Sequence, residues 1–174
     1  YNGDGDMTTG YTNVWNGSGW EVASRDERTY DAEGNMVQKI LSWWDSTGNE
    51  WKSSYKTENS YDGTGALLVS TTSLWDSSIE GWLFSNKNEN TYNGSEQFMT
   101  AISFSWNAGI SQWENSFKEE FTYDGNGNMT MQLMSEWNDN QWKNYYQIKW
   151  ACNNAYTSNE IILPRMFSGE GMLR

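Results

Sequence analysis

Trp106-Asn107-Ala108-Gly109-Ile110-Ser111-Gln112-Trp113 and, ten residues after its second tryptophan, Tyr123-Asp124-Gly125-Asn126-Gly127-Asn128-Met129 are the two stretches on which the fold turns. In the first, two rings bracket a short run opened by an Asx residue, whose side chain can bond its own backbone and start a turn. In the second, a tyrosine enters a run of Asx and Gly, the residues that tolerate the positive φ of tight reversals. A turn at each end of the intervening ten residues makes that segment a strand.

The same arrangement recurs along the chain. Tyr1, Tyr30, Tyr61, Tyr92 and Tyr123 stand 29 or 31 residues apart, each followed by Asp or Asn. Fourteen residues after each comes a first tryptophan and five or seven later a second: Trp15 and Trp20, Trp44 and Trp51, Trp75 and Trp82, Trp106 and Trp113, Trp137 and Trp142. Ten residues beyond the second tryptophan the next tyrosine begins, until Cys152 takes the sixth place. A spacing that varies by two keeps side chains on the same strand face, so the variation marks a hairpin loop. Five copies of a two-strand unit follow, with boundaries 1–29, 30–60, 61–91, 92–122 and 123–152. The fold expected is all-β: an antiparallel up-and-down meander of about ten strands built from five β-hairpin repeats of ~31 residues, twisted or curled over an aromatic face. Residues 153–174 break the period. There Ile161-Ile162-Leu163-Pro164 reads as an apolar edge strand stopped by proline, part of a degenerate repeat or terminal cap.

Strict alternation then predicts the faces. Trp51, Ser53, Tyr55, Thr57, Asn59 and Tyr61 share one parity, as do Trp113, Asn115, Phe117, Glu119, Phe121 and Tyr123. The opposite parity carries Lys52, Ser54, Lys56 and Glu58, or Glu114, Ser116, Lys118 and Glu120. One face is therefore expected to bear the rings and the other to be polar, with Arg25/Glu27, Lys56/Glu58, Lys87/Glu89 and Lys118/Glu120 forming solvated cross-strand ladders.

Composition bounds the function. The 174 residues carry a net charge of −12, no His, one Cys and one Pro, but 12 Trp, 10 Tyr and 6 Phe. Scarce aliphatic residues and high charge ordinarily mean disorder, but each buried ring removes ~150–250 Å² from water, and so an aromatic core is expected instead. With a pI near 4.3 and no clustered cations, a nucleic-acid or anionic-membrane partner would meet net repulsion. No apolar run approaches the ~18 residues of a spanning helix, so no membrane insertion is expected. The lone Cys152 excludes an internal disulfide framework and a thiolate metal cluster within this chain.

Catalysis is disfavoured: the commonest general base is absent, Cys152 has no His to activate it, and Glu58, Glu89 and Glu120 recur with the period, whereas a catalytic constellation is usually one asymmetric site. Neither metal nor cofactor is expected. The alternating oxygens of Asn2, Asp4 and Asp6, or Asp124, Asn126 and Asn128, invite a calcium reading. However, the middle copies lose the pattern, and the EF-hand glycine and bidentate glutamate are missing, so turn chemistry explains them better. Asn16, Asn93 and Asn128 open Asn-x-Ser/Thr sequons at turns. The ten repeat tryptophans are the candidate ligand-binding residues. Stacked pairs staple the hairpins; exposed pairs would form a row able to stack on sugar rings.

Tyr30-Asp31-Ala32-Glu33-Gly34-Asn35-Met36 and Tyr123 to Thr130 resemble the Tyr-Asp-x-x-Gly-Asn signature of YD (Rhs-type) repeats. The whole unit, with two Trp and a Lys-x-Glu-x-Thr approach to Tyr-Asp, is more similar to tandem repeats of uncharacterised secreted Bacteroidota proteins. That resemblance implies an extracellular or cell-surface, non-enzymatic module with a structural, adhesive or protein-binding role, and it transfers no catalytic residue. A carbohydrate-binding module using the Trp rows is the alternative, the partners being a glycan or a surface protein.

Overall fold

A computed structural model of the protein describes residues 1–151. The expected terminal cap at 153–174, and Cys152, lie outside the described residues. Ten strands follow one another: β1 (Thr9–Trp15), β2 (Trp20–Tyr30), β3 (Met36–Asp45), β4 (Glu50–Tyr61), β5 (Leu67–Asp76), β6 (Gly81–Tyr92), β7 (Phe98–Asn107), β8 (Gln112–Tyr123), β9 (Met129–Asn138) and β10 (Gln141–Lys149). They form one antiparallel sheet in the order β1 to β10, each strand pairing only with its sequence neighbours, and the sheet does not close. Among the described residues no second layer covers it, and Phe121 is the one buried hydrophobic side chain. The expected aromatic core is replaced by half-buried rings on a single sheet.

Both kinds of turn are built as the Asx residues dictate. In the loops that the Trp pairs bracket, Asp45 Oδ1 accepts the N–H groups of Thr47 and Gly48, and Asp76 Oδ1 that of Ser78, at 2.8–3.2 Å. The shorter loop at Asp139 and Asn140 places both residues at positive φ, the geometry that lets a two-residue hairpin match the strand twist. In the turns after each tyrosine, Asp124 Oδ1 accepts from the backbone of Asn126 and Asn128 at 2.9 Å, while the Asn128 amide donates to Asp124 Oδ2 at 3.0 Å. The fourth position there has positive φ and is Gly5, Gly34, Gly65 or Gly127; the turn at 93–97 places Glu96 in the same conformation.

The faces differ from strict alternation because every hairpin carries a β-bulge. Opposite Leu41 and Ser42 the register steps from Tyr55 to Ser53, so Ser54 has no partner. Ala23, Ser85, Ser116 and Tyr145 are skipped in the same way, each three residues after the second tryptophan. One extra residue reverses side-chain parity beyond it. Trp51 and Ser53 therefore share a face with Lys56 and Glu58, not with Tyr55 and Tyr61. The expected division into a ring face and a polar face is thus incorrect: Trp pairs and the Lys/Glu pairs lie together on one face, and Tyr55 and the repeat tyrosines Tyr30, Tyr61, Tyr92 and Tyr123 lie on the other. A second skipped residue, Val37, Leu68, Met99 or Thr130, eases each turn after the tyrosine into the next strand.

Two predictions follow from the turns. A left-handed residue other than Gly costs about 1–2 kcal/mol, so Gly34→Ala lowers urea stability by about that amount, whereas Glu96→Gly leaves it unchanged or raises it. Equal losses from both would contradict the turn assignment. Asp62 and Asp124 have lowered pKa values, first through side-chain hydrogen bonds from Thr64 and Asn128 respectively, then through backbone N–H groups. A carboxyl depressed in the folded state adds stability above its unfolded pKa and loses it as pH falls through the folded value. The urea midpoint should fall on acidification below about pH 4, and Asp124→Asn should make that fall shallower.

Candidate functional site: an aromatic face capped by cations

Each Trp pair joins the two strands of one hairpin in direct cross-strand register: Trp15 with Trp20, Trp44 with Trp51, Trp75 with Trp82, Trp106 with Trp113 and Trp137 with Trp142. Their ring centroids lie 5.0–5.5 Å apart at interplanar angles of 65–76°. This edge-to-face geometry is the favoured one for aromatic pairs and contributes ~0.5–1.5 kcal/mol beyond area burial. Loops of four and of six residues bring the rings to the same geometry, because a change of two leaves the facing intact.

A cation from the preceding hairpin covers the second ring of most pairs. Arg25 lies over Trp51 at 4.8 Å, Lys56 over Trp82 at 5.7 Å, Lys87 over Trp113 at 5.5 Å and Lys118 over Trp142 at 5.4 Å. Each cation is fixed by the glutamate two residues on: Arg25–Glu27 at 2.9 Å, Lys56–Glu58 at 2.7 Å, Lys87–Glu89 at 2.6 Å and Lys118–Glu120 at 2.8 Å. These ion pairs run within a strand, not across strands as expected. Opposite Arg25, Lys56 and Lys118 stand Ser42, Ser73 and Ser135, which are buried. A residue that small lets the cation's stem lie flat on the sheet and reach the ring. In the fourth hairpin Phe104 replaces the serine and Lys87 rides over its ring at 4.3 Å.

The cover leaves eight of the ten repeat tryptophans half-buried, while Trp15 and Trp20, over which no cation lies among the described residues, are 57% and 72% exposed. Next to them Tyr11, Val22, Trp44 and Trp51 line an open groove. Among the described residues the tryptophan row is therefore a line of half-buried pairs in which Trp15 and Trp20 form the exposed pair.

The opposite face carries a second staple. The hydroxyls of Tyr30, Tyr61, Tyr92 and Tyr123 donate to the carbonyls of Met7, Met36, Leu67 and Phe98 at 2.8–3.1 Å, closing the end of each of the first four hairpins remote from its Trp pair. Asn59 and Asn90 add amide donors to two of those carbonyls. Trp43, Leu74 and Leu83 stand exposed on this face beside Tyr55. Of the turn oxygens weighed for calcium, Asn2 Oδ1 and Asp124 Oδ1 accept backbone N–H groups, and no group of three or more acidic, His or Cys residues suited to a metal is present among the described residues. The sequon asparagines Asn93 and Asn128 spend their amides inside the turns, on Gln97 and Asp124.

No family model matches the chain, and no curated protein does. Among solved structures, the chain is similar to a protein of unknown function from Bacteroides fragilis, at 17% identity and a TM-score of 0.61 over 73% of this chain and 91% of that one. It is also similar to DUF3836 family proteins from Bacteroides vulgatus (14% identity, TM-score 0.43, 63% of this chain and 91% of that one) and Parabacteroides distasonis (11%, 0.42, 61% and 88%). The likeness to the Bacteroides fragilis protein shows the fold alone.

Removing a cap should both weaken the sheet and uncover a ring. Lys118→Ala is expected to cost about 0.5–2 kcal/mol and to raise acrylamide quenching of the Trp142 emission. A variant that unfolds at the parent's urea concentration with unchanged quenching would show that the cation does not cover the ring.

Proposed function

We propose that the chain is a non-enzymatic repeat module, secreted or held at the cell surface, with a structural or adhesive role in which the sheet itself is the binding surface for protein. The observation that carries this reading is the single-layer architecture: side chains that other folds would enclose are spread over two open faces, with Phe121 alone buried among the described hydrophobic residues. Supporting it, the recurring glutamates are engaged by the cations that cap the tryptophans, an architectural use of the carboxylates. Surface proteolysis of intact cells of the encoding organism tests the location. Cleavage of the chain without lysis is expected, and protection until lysis would contradict the reading.

Carbohydrate binding is the second reading, and the exposure of Trp15 and Trp20 narrows it to the first hairpin, where Tyr11 and the groove adjoin the open pair. Affinity electrophoresis in soluble polysaccharides discriminates the two. A glycan-binding module is retarded, and Trp20→Ala releases it while Trp113→Ala does not. Migration unchanged by any polysaccharide leaves the protein-binding role.

A further inference from the structure

A side chain that recurs in every hairpin serves the sheet, so the side chains that depart from the repeat are free for another task. On the tyrosine face two rows of facing residues carry such departures. One runs from Arg28 on β2 and Lys39 on β3, through uncharged side chains on β4 to β7, to Glu114 on β8. Arg28 and Lys39 share a single carboxylate, Asp26, at 2.8 and 3.3 Å, which leaves that end of the row net positive. Glu114 makes no ion pair among the described residues and accepts only the Asn107 amide at 2.9 Å. The neighbouring row, nearer the Trp loops, is apolar: Leu41, Tyr55, Leu74 and Leu83 face one another in turn across β3 to β6.

The sheet requires neither chemistry. The equivalents of Lys39 in the next three hairpins are Ser70, Ala101 and Gln132, and those of Leu74 include Ser105 and Glu136. Leu74 and Leu83 are 51% and 41% exposed, Trp43 beside Leu41 is 48% exposed, and no described strand lies over them.

We propose that this face is covered by the same face of a second copy of the chain, related by a twofold axis that runs along the strands between β5 and β6. Rotation about that axis sets Leu74 of each copy against Leu83 of the other. It also carries Glu114 of each copy over Lys39 of the other, because the two stand in one row, on β8 and β3, at equal distances from the axis. A twofold axis across the strands would lay β3 on its own copy and bring no carboxylate of β8 to Lys39, so charge selects the first arrangement. Six strands ~4.8 Å apart, each of about ten residues rising ~3.3 Å, present about 900 Å² between β3 and β8, close to the ~800 Å² per partner of a standard interface. Such a contact is isologous and closes at two copies. The inference rests on the reading of the sheet as a protein-binding surface and names what one of its faces binds.

Sedimentation velocity of the 174-residue chain over a range of concentrations tests it. The expected result is a plateau at the mass of a dimer. Lys39→Glu and Glu114→Lys should each weaken association about tenfold, since either reversal sets like charges together at both contacts. An equimolar mixture of the two variants should regain the parent's affinity, because each supplies the charge that the other lacks, and so should a chain carrying both substitutions. Leu74→Glu, beside the axis, should leave a monomer, whereas Phe84→Ser, on the Trp face, should leave the dimer intact. Should Lys39→Glu prevent folding beside Asp26, Glu114→Lys and Leu74→Glu decide. Species that grow past the dimer, a dimer indifferent to the charge reversals, or variants that mixing does not restore would each overturn the proposal. A parent chain that stays monomeric would overturn it too and would leave the protein-binding role standing, with a different protein as the partner.

Discussion

One unpaired residue per hairpin, three positions after the second tryptophan, determines what each face of this sheet presents. Without it, period-two alternation would place Trp51, Tyr55 and Tyr61 on one side and Lys56 on the other. With Ser54 skipped, Lys56 joins the tryptophans, where it covers Trp82 and is anchored by Glu58. Tyr61 passes to the far side, where its hydroxyl reaches the Met36 carbonyl. Each of the first four hairpins is thus pinned at its loop end on one face and at its open end on the other, and the sheet is held from both sides.

Such pinning is what a single layer requires. A sheet with no second layer removes little apolar surface from water, so cross-strand pairs take over the stabilisation that a packed core normally supplies. Aromatic pairs are suited to this because much of their attraction is local to the two rings. The lysine and arginine stems act as the missing cover, burying apolar carbons against the rings while their charged heads stay with glutamate near solvent. Since each cap comes from the preceding hairpin, stability accrues between neighbours along the chain, as in other repeat architectures.

Most of the fold is legible in the sequence because turns are written in residues with few alternatives. Asp45, Asp76 and Asp124 bond their own backbones, Gly34, Gly65 and Gly127 take positive φ, and the two-residue change in Trp spacing reveals a hairpin loop. The faces are not legible from parity alone, because a bulge is a local defect of the ladder that alternation cannot register. A faint signal exists: Ala23, Ser54, Ser85 and Ser116 are small and recur at the skipped position, although Tyr145 breaks the pattern. The burial of the tryptophans was equally hidden, since it depends on cations thirty residues or fewer away in sequence, which alternation assigns to the wrong face.

The central claim is that the bulge brings the cations, and not the residues before them, onto the tryptophans. Side-chain nuclear Overhauser effects in a labelled sample measure this directly. The account predicts contacts from the Lys118 methylene protons to the Trp142 ring, with those protons shifted upfield by the ring current. Contacts from the Phe117 ring to Trp113 or Trp142, with none from Lys118, would mean that alternation runs unbroken through β8 and would contradict it.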